Sequence, residues 1–270
     1  MKGVLIYDSV GKARNEWFIT RLTESAEALG HELKLRVCDG EYEVAEAIDF
    51  AIVRTINPRI NERLEELGIP TFNNAKTSRI ANDKWQTYLF GTELGIPMMD
   101  TKKPLTENEA ATSLPYPFIV KAVDGHGGSE VFSVSNDEEC REVLSRLGTD
   151  RVITQQRCSE VGVDMRVYML GGKILAAAKR TSLSDFRSNF SLGGSAEIVD
   201  VPGEVKKILK SVYDALKCDF VGVDFIRHGG KWILNEIEDV VGTRMLYSLT
   251  DMDAAKIYVE HVIRKLESKQ

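Results

Sequence analysis

The sequence predicts an α/β fold of mixed α/β and α+β type, and three of its features indicate this class. Apolar runs of strand length alternate with helix-length segments over residues 1–75. Glycine stands where such segments end, as Gly30 does after Leu29. Near the C-terminus the pair Gly229-Gly230 separates two β-rich runs, which is typical of a hairpin. With 270 residues, 43% of them hydrophobic, the chain is long enough to bury a substantial core.

The first 75 residues are predicted to form a small α/β layer. "GVLIYDS" predicts a first strand, and residues 15–29 predict a helix with Phe18 and Leu22 on its apolar face. The strands "ELKLRV" and "DFAIVRT" precede a helix over about residues 60–67 and the short strand "GIPTF". Strands that alternate with helices in this way are expected to be parallel. A purely structural α/β domain is the alternative interpretation.

The rest of the chain is predicted to alternate strands with four longer helices. Residues 97–157 have the pattern of strands plus one helix, and strands and helices alternate again from about residue 161. The predicted helices span residues 83–94, 137–147, 204–216 and 253–267.

Composition and charge exclude several classes of protein. The net charge of -6 and the pI near 5.4 argue against a non-specific binder of nucleic acid or of a membrane surface, because both require a surplus of Lys and Arg. The four cysteines form no CxxC pair, so neither a zinc site nor a disulfide framework is indicated. Reduced thiols, the short apolar run at the N-terminus and the absence of any membrane-spanning stretch favour a cytoplasmic location.

A hairpin near the C-terminus carries three carboxylates in "GVDFIRHGGKWILNEIE". A three-residue loop over residues 229–231 places Asp224 opposite Glu236, with Glu238 on the same face. The opposite, apolar face is then formed by Val221, Val223, Phe225, Ile233 and Ile237. Clustered carboxylates repel one another unless a cation or protons neutralise them, and oxygen ligands suit Mg²⁺ or Mn²⁺. A solvated acidic edge is the alternative, and a two-residue loop would break this register.

A lysine and a cluster of glycines supply the opposite charge in "KAVDGHGGSEVF". Lys121 ends an apolar run, and the backbone N–H groups of Gly125, Gly127 and Gly128 can approach phosphate oxygens without side chains in the way. The segment predicts either a plain hairpin turn or a loop that closes over phosphates. Lys84 is a second candidate cation, although each lysine alone also fits an ordinary surface position.

The order of five motifs resembles the ATP-grasp superfamily, most closely its RimK-like branch of carboxylate–amine ligases. The motifs are "NDKW", "FIVKAVDGHGG", "QQRCSEVGVDMRVY", "DFRSNFSLGG" and "GVDF…NEIE". The resemblance implies an ATP-grasp fold of three α/β subdomains, with ATP bound between the central and C-terminal ones. The corresponding domains are residues 1–78 (pre-ATP-grasp), 79–158 (central, with the glycine-rich lid) and 159–270 (C-terminal, with the metal site).

The same resemblance implies a role for each candidate residue. The phosphates of ATP would be held by Lys84, Lys121, Gly125, Gly127 and Gly128. The adenine hinge and the ribose would be bound by Gln155, Gln156, Arg157, Cys158 and Asp164. One or, more typically, two Mg²⁺ or Mn²⁺ ions would be bound by Asp224, Glu236 and Glu238. The transferred phosphoryl group or the substrate carboxylate would be held by Arg180, Arg187 and Asn189. Arg54 is a further candidate anchor for a carboxylate, since a guanidinium pairs bidentately with such a group.

The implied reaction forms an amide through an acyl phosphate, releasing ADP and phosphate. Its partners would be a carboxylate substrate and an amine on an amino acid, a peptide or a carrier protein. Ligases of this family are often homo-oligomers, although no surface pattern here specifies one. An ATP-grasp kinase that phosphorylates a hydroxyl, and a non-catalytic ATP-binding module, are the alternatives.

Three departures from the family pattern concern this site. Gln156 stands where a glutamate is usual, and Glu238 stands where an asparagine metal ligand is common. "DVVGTRML" replaces a segment of small residues and proline that would face the acceptor, which leaves the acceptor open.

Overall fold

A computed structural model describes residues 1–44, 47–125, 127–182 and 195–268. The strands in these ranges form three sheets, each accompanied by helices, so the mixed α/β class is as predicted. No helix in these ranges combines the length and the apolar character that crossing a bilayer requires.

The N-terminal unit is built on a parallel sheet. Its elements are β1 (Lys2–Tyr7), α1 (Ser9–Ala28), β2 (Glu32–Val37), β3 (Phe50–Val53), α2 (Pro58–Glu66) and β4 (Thr71–Phe72). The strand order is β2-β1-β3-β4, and all three pairings are parallel, which confirms the prediction made from the alternating pattern. Two helices then lead out of the unit, α3 (Ala75–Ala81) and α4 (Lys84–Glu93).

Helix α1 begins earlier than the sequence predicts. Asp8 caps the helix, because its carboxylate accepts a hydrogen bond from the Gly11 N–H at 2.6 Å. The backbone leaves helical geometry at Asn15 (φ -128°, ψ 22°), where the sequence analysis placed the start of the helix. The apolar periodicity is regular only after this break, which explains why the first turns were missed.

The central unit is a four-stranded antiparallel sheet with helices on one face. It consists of β5 (Thr101–Lys102), α5 (Glu107–Thr112), β6 (Phe118–Ala122), β7 (Val131–Val134), α6 (Asp137–Leu147), a 3-10 turn (Thr149–Arg151) and β8 (Val152–Gln156). The strand order is β5-β8-β6-β7. Phe118 and Val120 of the sheet pack against Cys140 and Leu144 of α6 in a core of their own.

The C-terminal unit is a five-stranded antiparallel sheet with a helix on each side. It consists of β9 (Glu160–Leu170), β10 (Lys173–Thr181), β11 (Ser195–Ile198), α7 (Gly203–Leu216), β12 (Phe220–His228), β13 (Lys231–Glu238), α8 (Arg244–Leu249) and α9 (Ala254–Glu267). The strand order is β11-β10-β9-β12-β13.

The two faces of this sheet pack against different partners. One face packs on α7 and also on Phe90 of α4. The other face shares a core with α9 and with the N-terminal unit, including Phe18, Phe50 and Phe72. Because one hydrophobic core joins the first and last parts of the chain, burial of apolar surface fixes the N-terminal sheet against the C-terminal one.

The β12–β13 hairpin has a shorter loop than predicted and contains a β-bulge. The loop has two residues, Gly229 (φ 56°) and Gly230 (φ 75°), and His228 pairs with Lys231. Positive φ at both positions is the geometry of a type I′ turn, which glycine adopts without strain. Asp224 nevertheless pairs with Glu236, because the pairing shifts by one residue between Phe225–Leu234 and Asp224–Glu236, leaving Asn235 as the bulged residue.

The bulge also changes which residues of β13 face the core. Trp232 and Leu234 join Val221 and Val223 in the core beneath the sheet, whereas Ile233, which was expected there, does not. Helices α3, α5 and α8 were not predicted. Each has only six or seven residues, which is too short for a helical periodicity to be recognised.

Candidate active site

A cavity of about 590 Å³ is lined by residues from all three units. Apart from Arg54, the predicted site residues that the structure describes all line it, and these are Lys84, Lys121, Gly125, Gly127, Gly128, Gln155, Gln156, Arg157, Cys158, Asp164, Arg180, Asp224, Glu236 and Glu238. The remaining two, Arg187 and Asn189, lie outside the described residues. Residues more than 150 positions apart in the sequence therefore meet around one cavity.

Asp224 stands at the centre of the polar cluster, between two arginines. Arg166 is its cross-strand neighbour on β9 and donates from Nε to Oδ1 at 2.8 Å and from Nη2 to Oδ2 at 2.7 Å. Arg180 on β10 donates to the same Oδ2 at 3.0 Å. Arg180 also holds Asp164 through two hydrogen bonds of 2.5 and 2.8 Å. These bidentate pairs order the side chains before any ligand arrives.

The environment moves the pKa values of the two buried carboxylates in opposite directions. Burial by itself would raise the pKa of Asp224, but the positive charges of Arg166 and Arg180 outweigh it and lower the pKa below its usual range. For Glu238, burial raises the pKa, and the charges of Asp224 and Glu236 add to the increase although Arg166 contacts Glu238 Oε1 at 2.5 Å. At Glu238, burial and the neighbouring carboxylates therefore outweigh the effect of Arg166.

The two lysines approach the carboxylates from the opposite wall. Lys84, at the start of α4, lies 3.0 Å from Glu236 Oε1 and also donates to the carbonyl of Gly125. Lys121, at the end of β6, donates to Asn235 Oδ1 at 3.2 Å. Burial lowers the pKa of Lys121 to about 8, only partly offset by the charge of Glu236. Two buried ammonium groups side by side favour a polyanion between them.

The glycine-rich segment between β6 and β7 connects two antiparallel strands and also borders the cavity. Gly127 (φ 67°) and Gly128 (φ 77°) have left-handed backbone conformations that favour glycine. At Gly125, a Cβ would lie 3.0 Å from Glu130 Oε2. The hairpin and the phosphate-loop interpretations are thus compatible, because the turn itself brings glycine backbone to the cavity.

The other end of the cavity has apolar walls and strand-end backbone. Ile119, Val131, Val163 and Ile226 line it, which suits a flat aromatic ring. The Gln155 side chain is buried and donates to Thr101 Oγ1 at 3.0 Å, so it supports the strand. The Gln156 N–H pairs with the carbonyl of Asp100 at 2.8 Å. Arg157 and Cys158 then follow beyond the end of β8 and border the cavity.

Carboxylate oxygens are suitable ligands for a divalent metal, although in this structure arginine and lysine side chains contact them. Among the described residues, no three His, Cys, Asp or Glu side chains are close enough together to hold an ion. Arg166 bridges Asp224 and Glu238, and Lys84 pairs with Glu236. Carboxylate oxygens are nevertheless the ligands that Mg²⁺ prefers.

Arg166 and Asn235 line the cavity but were not among the predicted site residues, whereas Arg54, a candidate anchor for a carboxylate, lies outside it. Arg166 lies two residues after Asp164 on the same face of β9, and this spacing could have identified it. Asn235 enters through the bulge, which no local pattern indicated. Arg54 is buried, donates to the carbonyl of Val241 at 2.8 Å and lies over the Phe18 ring. It does not line the cavity and is a structural residue.

Comparison with known proteins identifies both a family and relatives. A model described as the RimK-like ATP-grasp domain matches residues 82–262, more than half of the chain. A probable alpha-L-glutamate ligase of Parasynechococcus marenigrum is 28% identical over 215 residues, which cover 77% of this chain and 46% of that protein. An uncharacterized protein, MG011 of Mycoplasma genitalium, is 30% identical over 70% of this chain and 65% of its own length. The chain thus spans less than two thirds of these two relatives.

A third relative and two solved structures match over most of their length. The glutamate–LysW ligase ArgX of Sulfurisphaera tokodaii is 25% identical over 83% of this chain and 82% of its own. A RimK domain ATP-grasp protein from Sphaerobacter thermophilus has a TM-score of 0.76 at 18% identity, covering 97% of this chain and all of that one. D-alanine–D-alanine ligase from Bacillus anthracis, complexed with ATP, reaches 0.77 at 20% identity, covering 100% and 99%. At such identities the likeness confirms the ATP-grasp fold.

Proposed function

The chain belongs to the RimK-like ATP-grasp domain family, and from this premise we propose that it is an ATP-dependent carboxylate–amine ligase. The observation that carries the proposal is the convergence of Lys84 and Lys121 with Asp224, Glu236 and Glu238 in one cavity. This pattern of charge matches a nucleotide triphosphate with its metal, since the phosphates need cations and the metal needs carboxylates.

ATP would lie between the central and C-terminal units. Lys84, Lys121 and the glycines 125, 127 and 128 would surround its phosphates, and the apolar end beside Gln156, Arg157 and Cys158 would take the adenine. Asp164 would accept from the ribose hydroxyls after giving up part of its pairing with Arg180. The division of the chain into residues 1–78, 79–158 and 159–270 is part of this proposal and is supported by the three sheets.

Asp224, Glu236 and Glu238 would hold Mg²⁺ or Mn²⁺, two ions in the proposed arrangement. Bound metal would neutralise phosphate charge and align the γ-phosphate for attack. For this, the carboxylates must exchange their contacts with Arg166 and Lys84 for metal contacts. Both cations remain in the cavity, where they can pair with phosphate oxygens instead.

The reaction takes place in two steps. An oxygen of the substrate carboxylate attacks the γ-phosphorus of ATP, the bond to the β-phosphate bridging oxygen breaks, and ADP leaves an acyl phosphate behind. The nitrogen of an amine then attacks the acyl carbon, phosphate departs, and the nitrogen loses a proton to give the amide. Arg180, together with Arg187 and Asn189 from outside the described residues, would hold the phosphoryl group and the substrate carboxylate. Bound ATP and substrates would exclude water from the cavity and so limit hydrolysis of the acyl phosphate.

The amine-bearing partner is proposed to be an amino acid, a peptide or a carrier protein. The names of two relatives support this range, because one is described as a probable alpha-L-glutamate ligase and the other as a glutamate–LysW ligase. A further solved structure of the same fold is the ATP-grasp ligase PsnB complexed with a minimal precursor.

A screen of ADP release tests the proposal. Purified protein is incubated with ATP and Mg²⁺ and with the twenty amino acids, singly and in pairs, and with short peptides, and the products are analysed by mass spectrometry. Amine-dependent ADP release with a new amide mass is expected. ADP release with a phosphorylated hydroxyl would instead identify a kinase, and ATP binding without ADP formation would identify a binding module.

A further inference from the structure

The cavity extends past the carboxylate cluster toward the N-terminal unit. After Glu238 in the sequence, its lining residues are Val240, Gly242, Arg244 and Met245, and the N-terminal unit contributes Arg14, Asn15 and Ile56. This part is separate in sequence from the ATP-binding motifs. Among the lining residues before position 60 or after position 238, the only charged side chains are those of Arg14 and Arg244.

Arg14 and Arg244 differ from Arg166 and Arg180, which also line the cavity. Arg180 is buried, Arg166 is mostly buried, and both pair with carboxylates. Arg14 and Arg244 are exposed, and within the ranges that the structure describes neither is within 4.0 Å of a carboxylate oxygen. Arg244 instead donates from Nη2 to the backbone carbonyl of Arg14 at 2.7 Å, which brings the two residues together from opposite ends of the chain.

Local structure holds both residues at this place. Helix α1 leaves helical geometry at Asn15, directly after Arg14, and Asn15 Nδ2 bonds to the carbonyl of Gly11 at 2.8 Å. On the other side, the Tyr168 hydroxyl donates to the carbonyl of Gly242 at 3.1 Å, and Arg54 donates to that of Val241. The segment before Arg244 is therefore fixed by two buried side chains, and the arginine pair sits on a rigid support.

We propose that Arg14 and Arg244 form a clamp for a carboxylate of the substrate that does not react. The substrate would thus carry a second carboxylate besides the group at the metal end of the cavity. Two guanidinium groups with open donor positions are suited to this anion, because each can form parallel N–H···O bonds to it. The inference rests on the proposed ligase function, and it assigns residues that lie outside the five motifs.

Binding measured without turnover tests the clamp independently of the ligase reaction. Isothermal titration calorimetry would be done on protein saturated with Mg²⁺ and a non-hydrolysable ATP analogue. The probes are L-glutamate and a diglutamate peptide, each compared with the form whose α-carboxylate is an amide. Arg14→Gln and Arg244→Gln are compared with wild type, with Arg14→Lys as the conservative variant. Arg59→Gln, an exposed arginine of α2 that does not line the cavity, is the matched control.

We expect wild type and Arg59→Gln to bind at least one free-carboxylate probe about 10- to 100-fold more tightly than its amide, which is the scale of a charge-assisted hydrogen bond. Both glutamine variants should lose this preference, and Arg14→Lys should retain part of it. Affinity for the ATP analogue and the melting temperature should not change. Three results would each overturn the clamp. They are retention of the preference in both glutamine variants, loss of nucleotide affinity instead of the preference, and failure of wild type to prefer any probe with a free carboxylate. Failure of the ligase function would appear separately, as an absent amide product in the screen of ADP release.

Discussion

Replacing Lys121 with methionine should weaken nucleotide binding while making the fold more stable at neutral pH. Lys121 is 4% exposed, and burial lowers its pKa from 10.5 to about 8. The folded state therefore binds fewer protons than the unfolded state between about pH 8 and 10.5, and the free energy of unfolding rises with pH in that window. Below pH 8 the charged side chain destabilises the fold by about 3 kcal/mol, at about 1.36 kcal/mol for each pKa unit.

The methionine variant removes this electrostatic penalty and one hydrogen bond, to Asn235, which contributes about 1 kcal/mol. Its free energy of unfolding at pH 7 should therefore exceed that of wild type by about 2 kcal/mol. The difference should vanish near pH 10 and reverse to about 1 kcal/mol in favour of wild type above about pH 11, where only the lost hydrogen bond to Asn235 remains. Loss of the phosphate contact should weaken ATP binding by about 10- to 100-fold.

Urea denaturation at pH 7 and pH 10 and calorimetric titration with ATP and Mg²⁺ measure the two effects. Lys231→Met serves as the control, because Lys231 is exposed and does not line the cavity. Unchanged ATP affinity in the Lys121 variant would refute the assigned role. A loss of stability at pH 7 would refute the electrostatic reasoning.

Three further predictions concern the same cavity. Binding of ATP should be accompanied by proton uptake above pH 8, because the phosphates raise the pKa of Lys121 from about 8 toward its ordinary value. Calorimetry in buffers of different ionisation enthalpy measures this uptake. Binding without proton uptake at pH 9 would contradict the prediction. Arg166→Gln removes the side chain that Asp224 and Glu238 share as a partner, so it should lower the free energy of unfolding by about 3 kcal/mol. Urea denaturation measures this change, and a variant as stable as wild type would contradict it. Gly222→Ala places a Cβ 2.6 Å from Val241 Cγ2, so it should lower the free energy of unfolding by about 1–3 kcal/mol. It should also weaken binding of the carboxylate probes, because Val241 belongs to the segment before Arg244. A variant with wild-type stability and binding would show that this contact does not hold the segment.

The sequence predicted the motif-bearing parts of the site because their chemistry is local. Lys121 with its glycines, and Asp224 with Glu236, each stand in short segments whose residue types and spacing indicate phosphate and metal binding. The pairing of Asp224 with Glu236 was predicted correctly, but from a three-residue loop that does not exist. The two-residue turn and the bulge at Asn235 compensate each other, and neither follows from the alternation of apolar residues.

The parts that were missed depend on contacts between distant segments. Arg14 and Arg244 meet only because the N-terminal sheet and the C-terminal sheet share a core, and nothing in either local sequence indicates this. Arg54 was predicted as a carboxylate anchor because a guanidinium pairs bidentately with such a group. Its guanidinium is instead used to hold the carbonyl of Val241.

Transfer of oxygen from the substrate to phosphate tests the central claim most directly. A carboxylate substrate identified in the screen of ADP release would be labelled with ¹⁸O in its reacting group, and the inorganic phosphate formed would be analysed by mass spectrometry. The proposed acyl phosphate predicts one ¹⁸O atom in phosphate for each amide bond formed. Amide formation with unlabelled phosphate would contradict activation of the carboxylate by ATP in this cavity.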